Sequence, residues 1–193
     1  MSALTAPTTR SAEEYLALER GASVKSEFHD GHIYAMTGAS REHNLIAVNI
    51  ARELSLQLKG RPCEAYVNDM RIKAAEARSY HYPDVVVVCE KPQFEDQQAD
   101  SLLNPTVVIE VLSPSTEAYD RGEKFAHYRK IISLREYLLV SQDKPLIERF
   151  VREGDRWVLT EAEGLDGLLP LESIGCSLAL REVYDKVLEV RPD

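Results

Sequence analysis

A chain of 193 residues, of which 44% are hydrophobic and 28% are charged, has the composition of one globular domain with a substantial core. Its 32 acidic and 23 basic residues give a formal net charge of −9, which argues against a protein that coats nucleic acid by charge alone. Its apolar runs are shorter than the roughly 18 residues of a membrane span, and the N-terminal stretch lacks the basic-then-apolar layout of a secretory signal.

The three cysteines, Cys63, Cys89 and Cys176, are widely separated and include no CxxC pair. An odd number of cysteines without a spacing motif is most simply interpreted as a set of reduced, largely buried thiols. We therefore expect a cytoplasmic protein that does not associate with a membrane.

The first signals along the chain predict an arm and a helix. Residues 1–10 are rich in Thr, Ala and Pro, and we expect a flexible arm there, followed by a single domain over residues 11–193. Ser11 and Glu14 have the S-x-x-E spacing of a capping box ahead of EYLALE, which predicts the start of a short helix.

A hairpin and a longer helix are predicted next. Asp30-Gly31 lies between two alternating segments, VKSEFH and HIYAM, and this dipeptide is a strong signal for a tight β-hairpin. Ser40 can cap a helix that runs to about Lys59 with apolar residues at helical spacing, and Gly60 follows as a stop.

The rest of the chain predicts a sheet with helices on its faces. Strands are predicted in AYVNDMRIKA, PDVVVV, TVVIEVL and EYLLV, an amphipathic helix over about 116–132, and a second hairpin in LIERFVREGDRWVLTE. The segment KPQFEDQQADSLLNP is polar and predicts a loop. Together these elements predict an α/β domain with a mixed central β-sheet flanked by helices and with N-terminal and C-terminal β-hairpins.

Two carboxylates interrupt the most apolar strands. Asp84 stands directly before VVVV, and Glu110 lies inside TVVIEVL. If these strands are neighbours, the two carboxylates converge and repel each other unless a cation lies between them, and Mg²⁺ or Mn²⁺ prefers such oxygen ligands. The alternative is that Asp84 caps a strand or pairs with an arginine, while Glu110 points to solvent from an edge strand.

A lysine follows on the next predicted helix. Asp120, Lys124 and Tyr128 are spaced i, i+4 and i+8 and therefore share one helix face. From there Lys124 can project over the strand that carries Glu110, where an ammonium orients a water nucleophile or neutralises charge on a phosphate. The alternative is an ordinary surface pair between Asp120 and Lys124.

The motifs PDVVVV, VIEVLSPST and YDRGEKFAHYR resemble the Uma2 family of endonucleases, which belongs to the PD-(D/E)xK, or restriction-endonuclease-like, superfamily. The EFHDGHIYAMTGAS hairpin, the REHN helix start and the LIERF hairpin also match, so the resemblance extends over most of the chain. It implies a mixed β-sheet core flanked by helices and a divalent-metal phosphodiesterase site.

The same resemblance implies roles for individual residues. Asp84 and Glu110 correspond to the two acidic metal ligands, and Lys124 to the catalytic lysine. The superfamily pattern has its lysine two residues after the glutamate, but position 112 here is Leu. The Uma2-like interpretation therefore takes the lysine from the following helix.

Four residues are expected to complete the site. Glu27 in VKSEF is a candidate for a further metal ligand, with Glu42 in REHN as the alternative, and Asp120 and Tyr128 are candidates for holding Lys124. His43 lies in the first turn of a helix, which favours a neutral imidazole that contacts metal-bound water or a phosphate. The alternatives are that Glu27 is a cross-strand partner of a basic residue and that His43 bonds a backbone carbonyl.

A local basic strip would compensate for the acidity of the chain. Arg71 and Lys73 lie on the strand that precedes PDVVVV, and Arg121 lies on the helix that carries Lys124. We expect these three side chains to contact nucleic acid. The alternative is that they form an ordinary solvated face.

These residues predict an endonuclease that uses Mg²⁺ or Mn²⁺ to hydrolyse phosphodiester bonds of nucleic acid, with DNA as the expected substrate. The alternative, which the net charge and Leu112 favour, is a non-catalytic binding or interaction module that keeps the nuclease fold. A glycosidase with Asp84 and Glu110 as its acid–base pair fits less well, because one Trp and 7% aromatic residues offer little to line a sugar cleft. We expect a homodimer, since pairing doubles the contacts of an acidic nuclease.

Overall fold

The computed structural model describes residues 9–36, 38–74 and 78–188. Residues 1–8 of the predicted arm, and the last five residues of the predicted domain, lie outside these ranges. The arm and the single domain over residues 11–193 therefore stay predictions. None of the helices in the described ranges is long and apolar enough to cross a bilayer.

The N-terminal third contains two helices and a hairpin. Helix α1 (Ala12–Glu19) begins with the predicted capping box, in which Ser11 and Glu14 bond each other's backbone N–H. Strands β1 (Ser26–His29) and β2 (His32–Ala35) form the predicted hairpin, and its turn residues Asp30 and Gly31 both have positive φ, as a type I′ turn requires. Helix α2 (Arg41–Leu58) is capped by the Ser40 hydroxyl.

Two sheets contain eleven of the described strands. The five-stranded sheet has the order β2-β1-β5-β4-β7, where the remaining members are β4 (Arg71–Ala74), β5 (Ser79–His81) and β7 (Ser101–Leu102). The six-stranded sheet has the order β11-β10-β9-β8-β6-β3. Its strands are β3 (Glu64–Val67), β6 (Val85–Val88), β8 (Val107–Val111), β9 (Glu136–Val140), β10 (Leu146–Glu153) and β11 (Arg156–Glu163).

The six-stranded sheet is mixed, because β8 and β9 run parallel while its other neighbours pair antiparallel. A parallel pair needs a crossover connection, here residues 112–135, which we call the crossover segment. It contains α3 (Glu117–Tyr119), a π-helical turn (Asp120–Lys124) and α4 (Phe125–Tyr128). The chain ends with the hairpin of β12 (Leu168–Leu171) and β13 (Cys176–Ala179), a 3₁₀ turn (Glu172–Ile174) and α5 (Leu180–Val183).

Both faces of the six-stranded sheet are covered, which explains the run of valines in β6. Val85 and Val87 face α2 and the β12–β13 hairpin, whereas Val86 and Val88 face the crossover segment and the five-stranded sheet. Side chains alternate along a strand, so Glu110 lies on the second face together with Val108. The predicted α/β fold with a mixed central sheet is confirmed.

The cysteines correct one expectation. Cys63 and Cys89 form a disulfide with an S–S distance of 2.04 Å, and Cys176 is a buried free thiol. The pair forms because β3 and β6 are antiparallel neighbours in which Glu64 is opposite Val88, so the next residue outward on each strand also meets its partner. The expectation of three reduced thiols is therefore wrong for Cys63 and Cys89, while the cytoplasmic location stays a prediction.

Candidate active site

Asp84 and Glu110 come from neighbouring strands of the six-stranded sheet. Asp84 directly precedes β6, and Val85 is opposite Ile109 on β8, one residue before Glu110. The Asp84 carboxylate crosses to β8 and accepts a hydrogen bond at Oδ2 from the Val111 backbone N–H, at 2.7 Å. The carboxylate at the entrance to the strand therefore extends the pairing of β6 with β8 and lies beside Glu110.

Lys124 reaches the same point from the crossover segment. Its Nζ lies 2.9 Å from Glu110 Oε1, 3.1 Å from Glu27 Oε1 and 3.5 Å from Asp120 Oδ1. The Tyr128 hydroxyl donates to Glu110 Oε1 at 3.0 Å. The three carboxylates come from β8, β1 and the crossover segment, so the fold assembles one buried ammonium among them.

The π-helical turn contributes to this arrangement. A π turn widens the helix and leaves backbone groups to find other partners. Here the carbonyl of Asp120 accepts a hydrogen bond from the Tyr137 hydroxyl on β9, at 3.0 Å. This bond anchors the turn to the six-stranded sheet, and Asp120 and Lys124 are both buried against it.

Burial and charge act against each other on these groups. Burial raises the pKa of Glu110, which is 3% exposed, well above its ordinary value, although Lys124 lowers it. Burial likewise raises the pKa of Asp120. Burial alone would lower the pKa of Lys124, but Glu110 and Glu27 raise it well above its ordinary value, so the ammonium stays charged.

Glu27 is held differently from the other carboxylates. Its Oε1 accepts from the Tyr82 backbone N–H at 3.0 Å and faces Lys124, while its Oε2 lies 3.3 Å from His81 Nδ1. Burial alone would raise its pKa, but Lys124 and His81 lower it to about 2. Groups of this chain thus contact both oxygens of Glu27, and its metal-binding role stays a prediction.

His43 contacts Asp84 from the first turn of α2. Its Nε2 lies 3.3 Å from Asp84 Oδ2, and its side chain is largely buried. Burial alone would lower its pKa, but the Asp84 carboxylate and the Val111 backbone raise it above its ordinary value. The carboxylate of Asp84, which is distant in sequence, thus acts against the neutral imidazole expected from the helix N-terminus, and that expectation stays a prediction.

The three residues predicted to contact nucleic acid all form ion pairs. Arg71 is 2% exposed, and its Nη2 lies 2.5 Å from Asp100 Oδ2. It is buried in the five-stranded sheet and cannot be part of a solvated basic strip, which corrects the expectation for this residue. Lys73 pairs with Glu95 at 2.5 Å, and Arg121 pairs with Glu117 at 2.8 Å and with Glu148 at 2.6 Å.

Sequence reasoning did not assign a role to two buried histidines near Glu27. His81 Nε2 lies 3.2 Å from His127 Nδ1, and the two rings are stacked with an interplanar angle of 11°. His81 lies three residues before Asp84 in the sequence. Its partner is distant in sequence, so no local pattern could have identified the pair.

The donor chemistry of the site fits a divalent metal. Asp84 and Glu110 offer carboxylate oxygens from adjacent strands, and the bonds described above use Oδ2 of the first and Oε1 of the second. Within residues 9–36, 38–74 and 78–188, no three His, Cys, Asp or Glu side chains are grouped so that they could hold a metal alone. Mg²⁺ commonly takes one or two carboxylates and keeps several waters, so two protein carboxylates suffice for it.

Comparison with known proteins gives a family and a fold. Residues 12–181 match the Uma2 family model, described as "Putative restriction endonuclease". Two similar proteins come from Synechocystis sp. (strain ATCC 27184 / PCC 6803 / Kazusa). "Uncharacterized protein sll1609" is 44% identical over 79% of this chain and 87% of its own length, and "Uncharacterized protein slr1290" is 39% identical over 90% of each.

A solved structure has the same fold. It is a crystal structure of "a putative nuclease belonging to DUF820 from Anabaena variabilis ATCC 29413", which matches with a TM-score of 0.77. The match covers 93% of this chain and 99% of that chain, at 19% sequence identity. At this identity the likeness establishes the fold alone.

Proposed function

The chain belongs to the Uma2 family, and from that premise we propose that it is a nuclease that hydrolyses phosphodiester bonds of DNA with Mg²⁺ or Mn²⁺. Its family model is described as "Putative restriction endonuclease", and restriction-endonuclease-like families generally use divalent metals. The reaction class follows from the family, whereas the metal, the substrate and the residue roles are our inferences from the site.

One observation carries the proposal: carboxylates outnumber cations in a buried cluster. We call it the lysine cluster, and its members are Glu27, His43, Asp84, Glu110, Asp120 and Lys124. Buried carboxylates without full compensation are unfavourable, and the raised pKa of Glu110 reflects this. A further cation would relieve the excess, and a metal-dependent nuclease requires one.

Asp84 and Glu110 would hold the metal. When bound, a divalent cation supplies Lewis acidity toward a phosphoryl oxygen and a lowered pKa of a coordinated water. His43 holds Asp84 through Oδ2 at 3.3 Å, and the Val111 N–H holds the same oxygen at 2.7 Å. These bonds fix the orientation of Asp84 before any ligand arrives, as partners of ligating carboxylates commonly do.

Lys124 would act on the substrate. Its ammonium is buried, and Glu27, Glu110 and Asp120 hold it within 3.5 Å, so the chain loses little entropy in placing it. A fixed positive charge in a buried site stabilises the negative charge that develops on a phosphoryl group during hydrolysis. Tyr128 donates to Glu110 and thereby keeps that carboxylate facing Lys124.

The surroundings of the site favour a dimer. A groove lined in part by Leu112, Ser113, Arg121 and Gln142 opens beside the carboxyl end of β8, and its lining also contains four acidic residues. Arg121 is already paired there with Glu117 and Glu148. Because a single copy offers little positive charge to a phosphate backbone, we propose that two copies bind DNA together. Light scattering that shows a monomer at micromolar concentration would contradict this.

The test of function compares two buried glutamates. Glu110 lies near the carboxyl end of β8, and Glu136 begins the adjacent strand β9 and accepts from Ser173 at the opposite end of the sheet. We expect cleavage of plasmid and single-stranded DNA with Mg²⁺ or Mn²⁺, loss of cleavage with EDTA or in Glu110→Gln, and cleavage at the wild-type level in folded Glu136→Gln. Equal activity in both variants would indicate a contaminating nuclease.

A second measurement separates catalysis from metal binding. Calorimetric titration with Mn²⁺ should detect binding to the wild type and to Glu136→Gln, and weaker binding to Asp84→Asn and Glu110→Gln. A folded wild-type protein that neither binds Mn²⁺ nor cleaves DNA would leave the alternative of a non-catalytic module. Binding of Mn²⁺ without cleavage would support the proposed metal site and contradict DNA as the substrate.

A further inference from the structure

Behind the lysine cluster, two histidines connect Glu27 to the crossover segment. His81 on β5 has no exposed surface, and His127 on α4 is 7% exposed. His81 Nδ1 lies 3.3 Å from Glu27 Oε2, and His81 Nε2 lies 3.2 Å from His127 Nδ1. The His29 ring packs against His127 from the outside, with 4.1 Å between ring centroids.

These contacts form a closed ring of side-chain interactions. Glu27 Oε1 faces Lys124, Glu27 Oε2 faces His81, and His81 faces His127. His127 is three residues after Lys124 and therefore returns to the same side of the crossover segment. The five-stranded sheet supplies Glu27 and His81, so this ring of interactions joins that sheet to the crossover segment, which carries Lys124.

The contacts also fix which nitrogen of each ring carries a proton. Burial lowers the pKa of His81, and burial together with His81 lowers the pKa of His127 to about 4, so both rings are neutral at pH 7. Each neutral ring has one donor and one acceptor nitrogen. Glu27 only accepts, so Nδ1 of His81 is the donor, its Nε2 is the acceptor, and Nδ1 of His127 must donate to it.

We propose that His81 and His127 are positioning residues, which orient the Glu27 carboxylate and, through it, the Lys124 ammonium. This inference rests on the proposed function, in which Lys124 acts on the substrate. Without His81, Glu27 Oε2 would lose the ring that faces it in the protein interior. Without the Nδ1 donor of His127, the ring of His81 would lose the bond that fixes its tautomer.

The tautomers can be read without any assay of activity. Long-range ¹H–¹⁵N spectra of histidine-labelled, metal-free protein at pH 7.5 distinguish Nδ1–H from Nε2–H rings. We expect the Nδ1–H form for both His81 and His127. An Nε2–H form, or a mixture, for either ring would overturn the proposal.

The variant test uses His127, because a fully buried His81 is more sensitive to replacement. His127→Phe keeps a ring in place without a donor, His127→Asn restores a donor near the position of Nδ1, and His32→Phe on the outer strand β2 is the matched control. We expect His127→Phe to shift the ¹⁵Nζ signal of Lys124 and His127→Asn to return it toward the wild-type position. An unchanged Lys124 signal in folded His127→Phe would overturn the proposal.

Kinetics then separate this inference from the proposed function. If the wild type cleaves DNA, His127→Phe should lower kcat about tenfold with little change in KM, as the loss of a residue that orients a catalytic group commonly does. Equal kcat values in His127→Phe and the wild type would reject the positioning role and leave the nuclease intact. If the wild type cleaves nothing, the proposed function fails, and the Lys124 signal still decides whether the histidines position the ammonium.

Discussion

Two clusters of charged side chains lie partly or wholly inside this protein, and they are composed differently. One is the lysine cluster. The other, which we call the arginine cluster, joins α1 and the five-stranded sheet to the loop before β7 and consists of Arg20, Arg71, Asp96 and Asp100. The arginine cluster has as many cations as carboxylates, whereas four carboxylates in the lysine cluster share Lys124 and His43.

The pKa values of Glu110 and Asp120 in the lysine cluster shift in the opposite direction to that of Asp100 in the arginine cluster, whereas the pKa of Glu27 is lowered like that of Asp100. Arg20 lowers the pKa of Asp100, and Arg71 lowers it further despite burial. Burial raises the pKa of Glu110 and of Asp120 in spite of Lys124. Balanced charge is therefore expected to stabilise the fold, whereas the excess of carboxylates in the lysine cluster is expected to lower the stability of the metal-free protein. On the proposed function, the lysine cluster gains its missing cation only when a metal binds.

The largest effect that tests this comparison is expected for Glu110→Gln. Removing the carboxylate should lower DNA cleavage about 10³-fold, because the proposed metal would lose one of its two carboxylate ligands, which is charged when the metal is bound. The same change should leave the metal-free protein as stable as the wild type or more stable, since glutamine resembles the uncharged form that burial favours. Steady-state kinetics and urea unfolding in EDTA provide the two measurements. A Glu110→Gln protein that is both active and less stable would show that Glu110 stabilises the fold and is not needed for cleavage.

The matching change in the arginine cluster should have the reverse pattern. Asp100→Asn leaves the guanidinium of Arg71 buried without its carboxylate, which should lower the free energy of unfolding by about 3 kcal/mol. Cleavage per folded molecule should not change, because the cluster lies apart from Lys124. Urea unfolding followed by circular dichroism, with kinetics on the folded fraction, gives both values. Loss of cleavage without loss of stability would contradict a structural role for the arginine cluster.

The pH dependence of stability sharpens the contrast. Glu110 has a raised pKa in the folded state, so its favourable contribution is complete below its unfolded pKa of 4.5 and is lost as pH rises through the folded pKa. Asp100 has a lowered pKa, so its contribution is present above its unfolded pKa of 3.8 and is lost as pH falls below it. In EDTA, the stability gained by Glu110→Gln should therefore grow as pH rises from 4.5. A gain that is constant over pH 4.5–8 would show that Glu110 is not held in its neutral form.

The smallest effect is expected at the rim of the arginine cluster. Arg20 contacts Asp96 and Asp100, but its side chain is 31% exposed, and exposed ion pairs contribute about 1 kcal/mol or less. Arg20→Ala should therefore lower the free energy of unfolding by at most about 1 kcal/mol, with unchanged cleavage. Denaturation at low and at high salt checks this, since the difference from the wild type should shrink as salt screens the pairs. A loss as large as that of Asp100→Asn would mean that Arg20 is the main partner of Asp100.

Local patterns predicted those features of the fold that depend on neighbouring residues. The capping box at Ser11, the Asp30-Gly31 hairpin and the valine strand after Asp84 all follow from residues close together in the sequence. The meeting of Asp84 with Glu110 was inferred from a physical requirement, namely that two carboxylates in apolar strands need a shared environment. Their roles in binding a metal remain predictions.

Features that depend on distant partners were not predictable in this way. Arg71 and Lys73 were expected to form part of a basic strip. Their strand β4 lies between β5 and β7, and β7 comes from a segment that was expected to be a loop. Arg71 is therefore buried, not solvated. The disulfide and the contact of His43 with Asp84 have the same origin, because the pairing of β3 with β6 and the approach of Asp84 are set by the tertiary fold.

In the crossover segment, one residue packs the apolar core at position 112 and a different residue supplies the amine beside Glu110. Leu112 occupies the position where the superfamily pattern has its lysine, and here it packs in the apolar core with Phe125 and Tyr128. The amine of Lys124 arrives from later in the same crossover segment, so the first residue of the segment packs in the core while its helical turns carry the amine. Successive helical residues differ by about 100° in direction, so the loss of a single residue within the helical part that begins at Glu117 would turn the amine away from Glu110. The number of helical residues before Lys124 thus sets the direction of the amine.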